Sequence, residues 1–405
     1  MKVFSFVEGA NSRRGGLGLV GAPGITKSLA DRGHQVVLIV AGRVSPGAEQ
    51  FVQPDLSSAL RQKSGAGTFG IVTYPSYGGW AFAPAMLWAL RSHIRNADFI
   101  SLHSLYSFPV LVGYLLARIY HKPYGLWPHG VLAPFQRRVS AGKKRVYDWI
   151  IARRILNEAS VLFYSATGER DEVRPLGLMP RSVIIPHGFD AEEYIQLPPR
   201  GDFRTKFLRG HQGPLVLFLS RLNAKKGLDI LTQAFAMVLE QMPEARLAIV
   251  GSSDPLKFES RVEGWLHECG IDYQAIMPGL LIGQEKLQAF VDADVFVLPS
   301  EAENFCFAMF EAMASRIPLV VSDTLNYAAE IRRNQAGLVV RRDPREFANA
   351  ILKLLMDSAL RKRMGENGLG MAQAYSWEVC GERLERTIWC VLQDKPIPKD
   401  LTLNE

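Results

Sequence analysis

Short runs of apolar, largely β-branched residues recur along the chain, and longer stretches of helical periodicity separate them. In the first half the runs are Val3–Val7, Val36–Val40, Ile71–Tyr74, Phe99–His103, Tyr124–Trp127 and Val161–Ser165. In the second they are Leu215–Ser220, Arg246–Gly251, Ala275–Pro278, Val295–Pro299, Leu319–Ser322 and Gly337–Val340. Uninterrupted apolar strands that alternate with helices imply parallel sheets covered on both faces. The pattern breaks near 183–200, where the run Val183–Ile185 meets Pro186, His187 and Gly188, and a polar stretch with Pro198, Pro199, Gly201 and Asp202 follows. The expectation is an α/β protein with two Rossmann-like, doubly wound domains over 1–185 and 186–375. Residues 376–405 would form a terminal segment opened by an amphipathic helix, Ser376–Gln393, that straps back to the first domain. Ligands of such sheets bind beyond the carboxyl ends of the strands.

A length of 405 residues with 48% hydrophobic residues suits two or three domains and excludes a disordered or collagen-like chain. The net charge of +7 is unevenly spread. Residues 1–185 carry 22 Lys+Arg against 10 Asp+Glu, a net of +12, and the remainder carries 25 against 30, a net of −5. Two independently solvated faces would account for this, and so would a first half that meets an anionic partner. Cys269, Cys306, Cys380 and Cys390 form no C-x-x-C pair, which argues against a disulfide scaffold or zinc knuckle and suits a reducing compartment. Val3–Val7 stops at Glu8, short of a signal peptide, and Leu105–Tyr120, interrupted by Pro109 and Arg118, reads as a core helix. The chain is expected to be cytoplasmic, with the inner face of a membrane as a peripheral location.

Five constellations carry candidate chemistry. Gly15, Gly16 and Gly18 follow the first strand and precede the helix Ile25–Arg32. Strand, glycine loop, helix is the order of an anion or sugar site, and also of a simple tight loop. No G-K-[ST] follows, so it is not a Walker loop. His129, in Trp127-Pro128-His129-Gly130, sits at a strand's carboxyl end, where it either packs or contacts substrate. Arg137, Arg138, Lys143, Lys144, Arg145, Arg153 and Arg154 alternate with Phe135, Val146, Tyr147, Trp149, Ile150 and Ile151. That pattern fits a membrane or acceptor face or a solvated helix; nucleic acid has no other support in the chain. Ser220 through Gly227 places Arg221 and Lys226 at a strand end, where a cation pair can clamp a diphosphate or simply face solvent. Glu303 and Glu311 follow the strand Val295–Pro299. A helix starting near Phe305 would direct its free N–H groups outward and place Glu311 in an apolar setting, where a sugar hydroxyl is an apt partner.

With these motifs together, the chain resembles the retaining glycosyltransferases of family 4, the "group 1" glycosyltransferases, which have the GT-B fold of two Rossmann-like domains facing a central cleft. Glu303…Glu311 matches the E-x7-E motif, and Ser220-Arg221-Leu222 through Lys226-Gly227 matches G-R-L…K-G. Val183-Ile184-Ile185-Pro186-His187-Gly188-Phe189-Asp190 resembles V-I-P-N-G-V-D, Gly15–Gly18 the N-terminal glycine loop, and Tyr375-Ser376-Trp377 the F-S-W that opens the last helix. The resemblance implies a hexosyltransferase that moves sugar from a UDP-, GDP- or ADP-linked donor to a saccharide or lipid-linked acceptor in surface polysaccharide or glycolipid synthesis. It implies no metal and no cofactor, and no D-x-D motif is placed to hold one. It implies catalytic parts for His129, Arg221, Lys226 and Glu303. Donor contacts would come from Gly15, Gly16, Gly18, Ser220, Gly279, Leu280, Leu281, Phe305, Cys306, Phe307 and Glu311. Arg137, Arg138, Lys143, Lys144 and Arg145 would form the membrane or acceptor face, with an anionic bilayer as a further partner.

Departures from the family pattern are Cys306, Arg316 and Ser220 at positions usually held by Gly, His187 for Asn, and Asn326-Tyr327 for a Gly pair. They bear on donor identity and leave one alternative, a non-catalytic nucleotide-sugar-binding protein with the same fold. A sugar-nucleotide epimerase of this fold lacks the joint R…K-G and E-x7-E pattern.

Overall fold

A computed structural model of the chain describes residues 1–9, 21–44, 49–78, 80–133, 137, 141–253, 257–303 and 305–402. The chain divides into two compact units, Met1–Gly188 with Trp377–Glu405, and Phe189–Ser376. In unit 1 the strands are β1 Lys2–Glu8, β2 Gln35–Ala41, β3 Lys63–Ser64, β4 Gly67–Tyr74, β5 Phe99–His103, β6 Tyr124–Trp127, β7 Val161–Tyr164 and β8 Ser182–Ile184. In unit 2 they are β9 Leu215–Leu219, β10 Arg246–Val250, β11 Ala275–Gly279, β12 Val295–Leu298, β13 Leu319–Ser322 and β14 Gly337–Val340.

Every apolar run of the sequence pattern becomes a strand. The first sheet has the order β3-β4-β2-β1-β5-β6-β7-β8 and the second β11-β10-β9-β12-β13-β14. All neighbouring strands are parallel except β3, which pairs antiparallel with β4. Alternate residues of β1 and β2 feed separate cores on the two faces of the sheet: Phe4, Phe6, Val37 and Ile39 on one, Val3, Val7, Val36 and Leu38 on the other. That double burial is why the strands read as continuous apolar runs. Strand β3 is two residues of Lys-Ser and carries no apolar signal. The run Val183–Ile185, read as part of the break between domains, contributes Val183 and Ile184 to β8, an edge strand paired with β7.

In each sheet the strand order reverses once, between β1 and β5 and between β9 and β12. Loops leaving the two strands at such a point turn to opposite faces and open a crevice beyond the carboxyl ends.

The last long helix, Trp377–Leu392, buries Cys380, Gly381, Leu384, Thr387 and Ile388, a stripe at helical spacing. It packs against the helix Gly21–Asp31 of unit 1. Its first residue, Trp377, lies against Gly24 and Gly188, where an added Cβ would come within 2.2 and 2.6 Å of Trp377 atoms. Glu385 then accepts hydrogen bonds from Arg32 Nε at 2.5 Å and His34 Nε2 at 2.8 Å. Burial of Leu384 and Ile388 contributes roughly 1.5–3 kcal/mol each, which outweighs these partly exposed ion pairs. Among the described residues no helix is long and apolar enough to cross a membrane.

Candidate functional site

In unit 2 the residues of interest gather at the reversal between β9 and β12. Beyond β9, Leu222 is buried, and Asn223 Oδ1 accepts from Lys225 N at 3.1 Å to cap the single turn Ala224–Lys226. Gly227 follows with φ +67°, and a Cβ there would lie 2.2 Å from the Pro299 carbonyl oxygen. Glycine thus lets this loop close onto the one beyond β12. Glu301 N completes the join by donating to the Lys225 carbonyl at 2.8 Å. Gly251, at the end of β10, has φ +142°, and its missing Cβ leaves room for the Ser220 carbonyl oxygen.

The joined loops bring Lys226 Nζ to 2.6 Å from Glu303 Oε1, with the side chains 8% and 10% exposed. Arg221 is exposed and lies near enough to Lys225 to act on its charge. Lys225 is half-buried, and its ammonium is pulled below the ordinary lysine value by burial first. Glu303 opposes that shift, while Lys226 and Arg221 reinforce it. Lys225, Lys226 and Arg221 against the single carboxylate of Glu303 leave a local excess of positive charge in these loops, the electrostatic condition for an anion such as a diphosphate.

The helix carrying Glu311 spans Phe307–Ala314, so it begins two residues later than the sequence suggests. Phe305 stacks on Phe310 with ring centroids 4.2 Å apart and lies edge-on to Tyr327, and the chain at Cys306 is extended. Phe305 and Cys306 therefore precede the helix, and its first turn opens at Phe307. The Cys306 thiol is buried, and burial first, then the nearby Glu303 carboxylate, pushes it up to about 12. It is a neutral thiol at physiological pH and no nucleophile.

Glu311 finds a partner that the sequence reading did not supply. Lys286 Nζ, from the helix Gly283–Asp292, donates to Glu311 Oε1 at 2.8 Å. Tyr194 lies beside the pair, its phenol pushed well above the ordinary value by burial and then by Glu311. The Lys286–Glu311 spacing of 25 residues has no local signature, so no sequence pattern could have found it.

Gly279 ends β11 at φ +83°, on the outer edge of the sheet, with Leu280 exposed and Leu281 buried. Arg316 stands in the left-handed region at φ +58°, a conformation that explains why glycine suits this position. Tyr327 is buried against Phe310 and Tyr375.

In unit 1 His129 lies just past β6, where His129 and Gly130 are consecutive left-handed residues at φ +52° and +75°. Glu169, buried in the helix Thr167–Val173, holds this turn by accepting from Gly130 N at 2.6 Å and from Ser165 N and Oγ at 2.8 Å each. His129 is not a lone histidine. Its ring lies nearly parallel to His103, Trp127 and His187, with centroids 5.3, 5.9 and 5.2 Å away. His103 Nδ1 meets His129 Nε2 at 3.0 Å, and Ser101 Oγ meets His103 Nε2 at 3.2 Å. Burial lowers all three histidines: His103 to about 3, His187 to about 4, and His129 well below its usual value. His103 was legible only as the last residue of an apolar strand, and His187 only as a departure from a motif.

Gly15, Gly16, Gly18 and Arg138 lie outside the described residues. Lys143 and Lys144 fall on the helix Ala141–Tyr147, but their side chains lie outside the described part. Arg137 pairs with Asp148 at 3.6 Å. Arg145, Arg153 and Arg154 are exposed, and so are Val146 at 58%, Trp149 at 85% and Ile150 at 57%. Among the described residues no three His, Cys, Asp or Glu side chains gather as metal ligands.

Comparison with known proteins matches residues 199–371 to the family model "Glycosyl transferases group 1" and residues 24–193 to "Glycosyltransferase Family 4". D-inositol 3-phosphate glycosyltransferase of Corynebacterium jeikeium is 27% identical over 320 residues, 76% of this chain and 75% of that protein. A GDP-mannose-dependent monoacylated alpha-(1-6)-phosphatidylinositol monomannoside mannosyltransferase of Corynebacterium glutamicum is 29% identical over 60% of this chain and 65% of its own length. Among solved structures, Anabaena HepE in complex with UDP and glucose superposes with a TM-score of 0.75 at 19% identity, covering 96% of this chain and 99% of that one.

Proposed function

The chain belongs to the group 1 glycosyltransferases and has the GT-B fold, and from that premise we propose a retaining, metal-independent hexosyl transfer from a nucleotide-sugar donor to a phosphorylated or lipid-linked acceptor. The observation that carries the donor half is the enclosed Lys226–Glu303 pair, with Lys225 and Arg221 near it, at the strand reversal of unit 2. Charge develops on the diphosphate as its bond to the sugar's anomeric carbon breaks, and preorganised cations stabilise that charge most when the surroundings are dry. Lys226, nearly enclosed, and Lys225 supply it. Glu303 holds Lys226 in place and accepts from hydroxyls of the donor sugar. Glu311, fixed by Lys286, accepts from the ribose hydroxyls.

In a same-face reaction the acceptor oxygen bonds to the anomeric carbon as the diphosphate oxygen leaves. That departing oxygen takes the acceptor's proton, so no protein nucleophile is required; the neutral thiol of Cys306 agrees with this reading. His129 contacts the donor sugar near the reacting carbon. The non-catalytic alternative is not favoured: named glycosyltransferases are similar to this chain over three quarters of its length, and the cation cluster is intact.

The acceptor class follows from the relatives, whose names specify inositol phosphate and a phosphatidylinositol mannoside. The exposed face of Arg145, Val146, Trp149, Ile150, Arg153 and Arg154 supports work at an anionic membrane surface, and hence a peripheral location on its cytoplasmic side.

The test incubates the protein with UDP-, GDP- and ADP-sugars, D-inositol 3-phosphate and phosphatidylinositol, with and without EDTA. Nucleotide release and the product's anomeric configuration are read by NMR. One donor should turn over with retained configuration in EDTA. No release above buffer across the panel overturns transfer; an inverted product overturns retention; activity lost in EDTA and restored by Mg²⁺ overturns metal independence.

A further inference from the structure

Of the three near-parallel histidines in unit 1, His129 is 9% exposed, and His103 and His187 are fully enclosed. The rings run nearly parallel, 13° from His103 to His129 and 20° from His129 to His187. His103 Nδ1 and His129 Nε2 face one another at 3.0 Å, a hydrogen-bond distance that leaves no room for a metal ion between them. They instead form part of a line of hydrogen bonds: Ser101 Oγ to His103 Nε2 at 3.2 Å, then His103 Nδ1 to His129 Nε2 at 3.0 Å.

A neutral imidazole offers one N–H and one lone pair, so the line has only two self-consistent arrangements. In the first, the Ser101 hydroxyl donates to His103 Nε2, and His103 Nδ1–H donates to His129 Nε2. His129 then carries its proton on Nδ1. In the second, each bond reverses: His129 Nε2–H donates to His103 Nδ1, and His103 Nε2–H donates to Ser101 Oγ. His129 Nδ1 is then a bare acceptor, and the Ser101 hydroxyl hydrogen must find another acceptor. Ser101 is 5% exposed, and among the described residues its hydroxyl has no acceptor besides His103. A buried donor without an acceptor is costly, so the first arrangement prevails.

We propose that Ser101 and His103 are positioning residues for sugar transfer: they fix His129 as the Nδ1–H tautomer, so that it presents a hydrogen-bond donor to an oxygen of the donor sugar. The inference rests on the reading of His129 as a donor-sugar contact. Ser101 and His103 lie on β5, next to the strand reversal of unit 1, and pair in register with Gly125 and Trp127 of β6. Two rigid strands therefore set the ring whose tautomer matters.

The experiment compares His129→Ala, His103→Phe, His103→Asn and Ser101→Ala in full-length protein. It reads kcat and donor KM together with the ¹⁵N shifts of the His129 ring. His103→Phe keeps an aromatic ring in this enclosed position and removes the donor to Nε2; kcat should fall about tenfold or more with donor KM little changed. His103→Asn, whose amide N–H can replace Nδ1–H, should recover most of that loss. Ser101→Ala should convert the His129 ¹⁵N pattern from a single Nδ1–H tautomer to a mixture. Wild-type turnover by His129→Ala removes the reading of His129, and this inference with it. An impaired His129→Ala beside a wild-type His103→Phe overturns the inference alone. So does a loss that Asn does not recover. Should His103→Phe fail to fold, an unchanged His129 ¹⁵N pattern in Ser101→Ala is sufficient to overturn it.

Discussion

Lys226 Nζ and Glu303 Oε1 meet at 2.6 Å, and both side chains are nearly enclosed. Removing one partner of such a pair strands the other charge in poor solvent, at a cost of about 3–5 kcal/mol, whereas neutralising both with groups of similar shape costs little. This separates stability from catalysis at single-residue resolution. Lys226→Met should lower both the unfolding midpoint and kcat, the latter by about a hundredfold. Adding Glu303→Gln should return most of the stability and none of the turnover. Thermal unfolding and single-turnover rates on the two proteins check this, and recovered turnover in the double variant would contradict the phosphate role of Lys226. Arg221, Lys226, Glu303 and Glu311 were legible in the sequence because each lies in a short motif. Lys286, His103 and the pairing of Lys226 with Glu303 were not, since each depends on a contact between elements.

At the scale of elements, the segment from Ala141 to Asn157 is the informative case. It runs as a helix to Tyr147, a π-helical stretch from Asp148 to Ala152 and a helix again from Arg153. Val146, Trp149 and Ile150 stand out into solvent, flanked by Arg145, Arg153 and Arg154. Apolar side chains with so much exposed area beside a band of cations match the needs of an anionic interface. Replacing Arg145, Arg153 and Arg154 with Glu should weaken binding to vesicles containing phosphatidylserine, by about 1 kcal/mol or more per residue at low ionic strength. Vesicle co-sedimentation at two salt concentrations measures it; equal binding of both proteins would remove the membrane role. Strands were the most legible elements, because double burial makes each a continuous apolar run. The Phe307–Ala314 helix, expected to start near Phe305, starts two residues later, where Phe305 packs on Phe310 and edge-on to Tyr327 from a distant element and Cys306 is extended.

For the molecule as a whole, the buried histidines set a pH dependence. His103 and His187 titrate near 3 and 4 in the fold, and His129 is also depressed, against about 6.5 in an unfolded chain. Folded-state values below the unfolded one mean that the unfolded chain binds protons first as pH falls. The stability is therefore complete above about pH 6.5 and is lost below it, at up to about 1.4 kcal/mol per pH unit for each histidine still neutral in the fold. Urea unfolding of the unit that contains them should show a lower midpoint at pH 5.0 than at 7.5, and an unchanged midpoint would contradict a neutral buried cluster. The charge pattern also takes its meaning at this scale: the half with a net of +12 holds His103, His129 and the basic exposed helix, and the half with −5 holds the Lys226–Glu303 pair and the cations near it. By itself the sequence determined two doubly wound sheets and the loops that carry chemistry, because a strand buried on both faces must be apolar throughout and a motif needs only its own few residues. The tertiary structure alone decided which groups face one another, Lys226 with Glu303 across 77 residues, Lys286 with Glu311 across 25, and His103 with His129 across 26. Strand order brings these partners together, and strand order leaves no trace in the local periodicity of the chain.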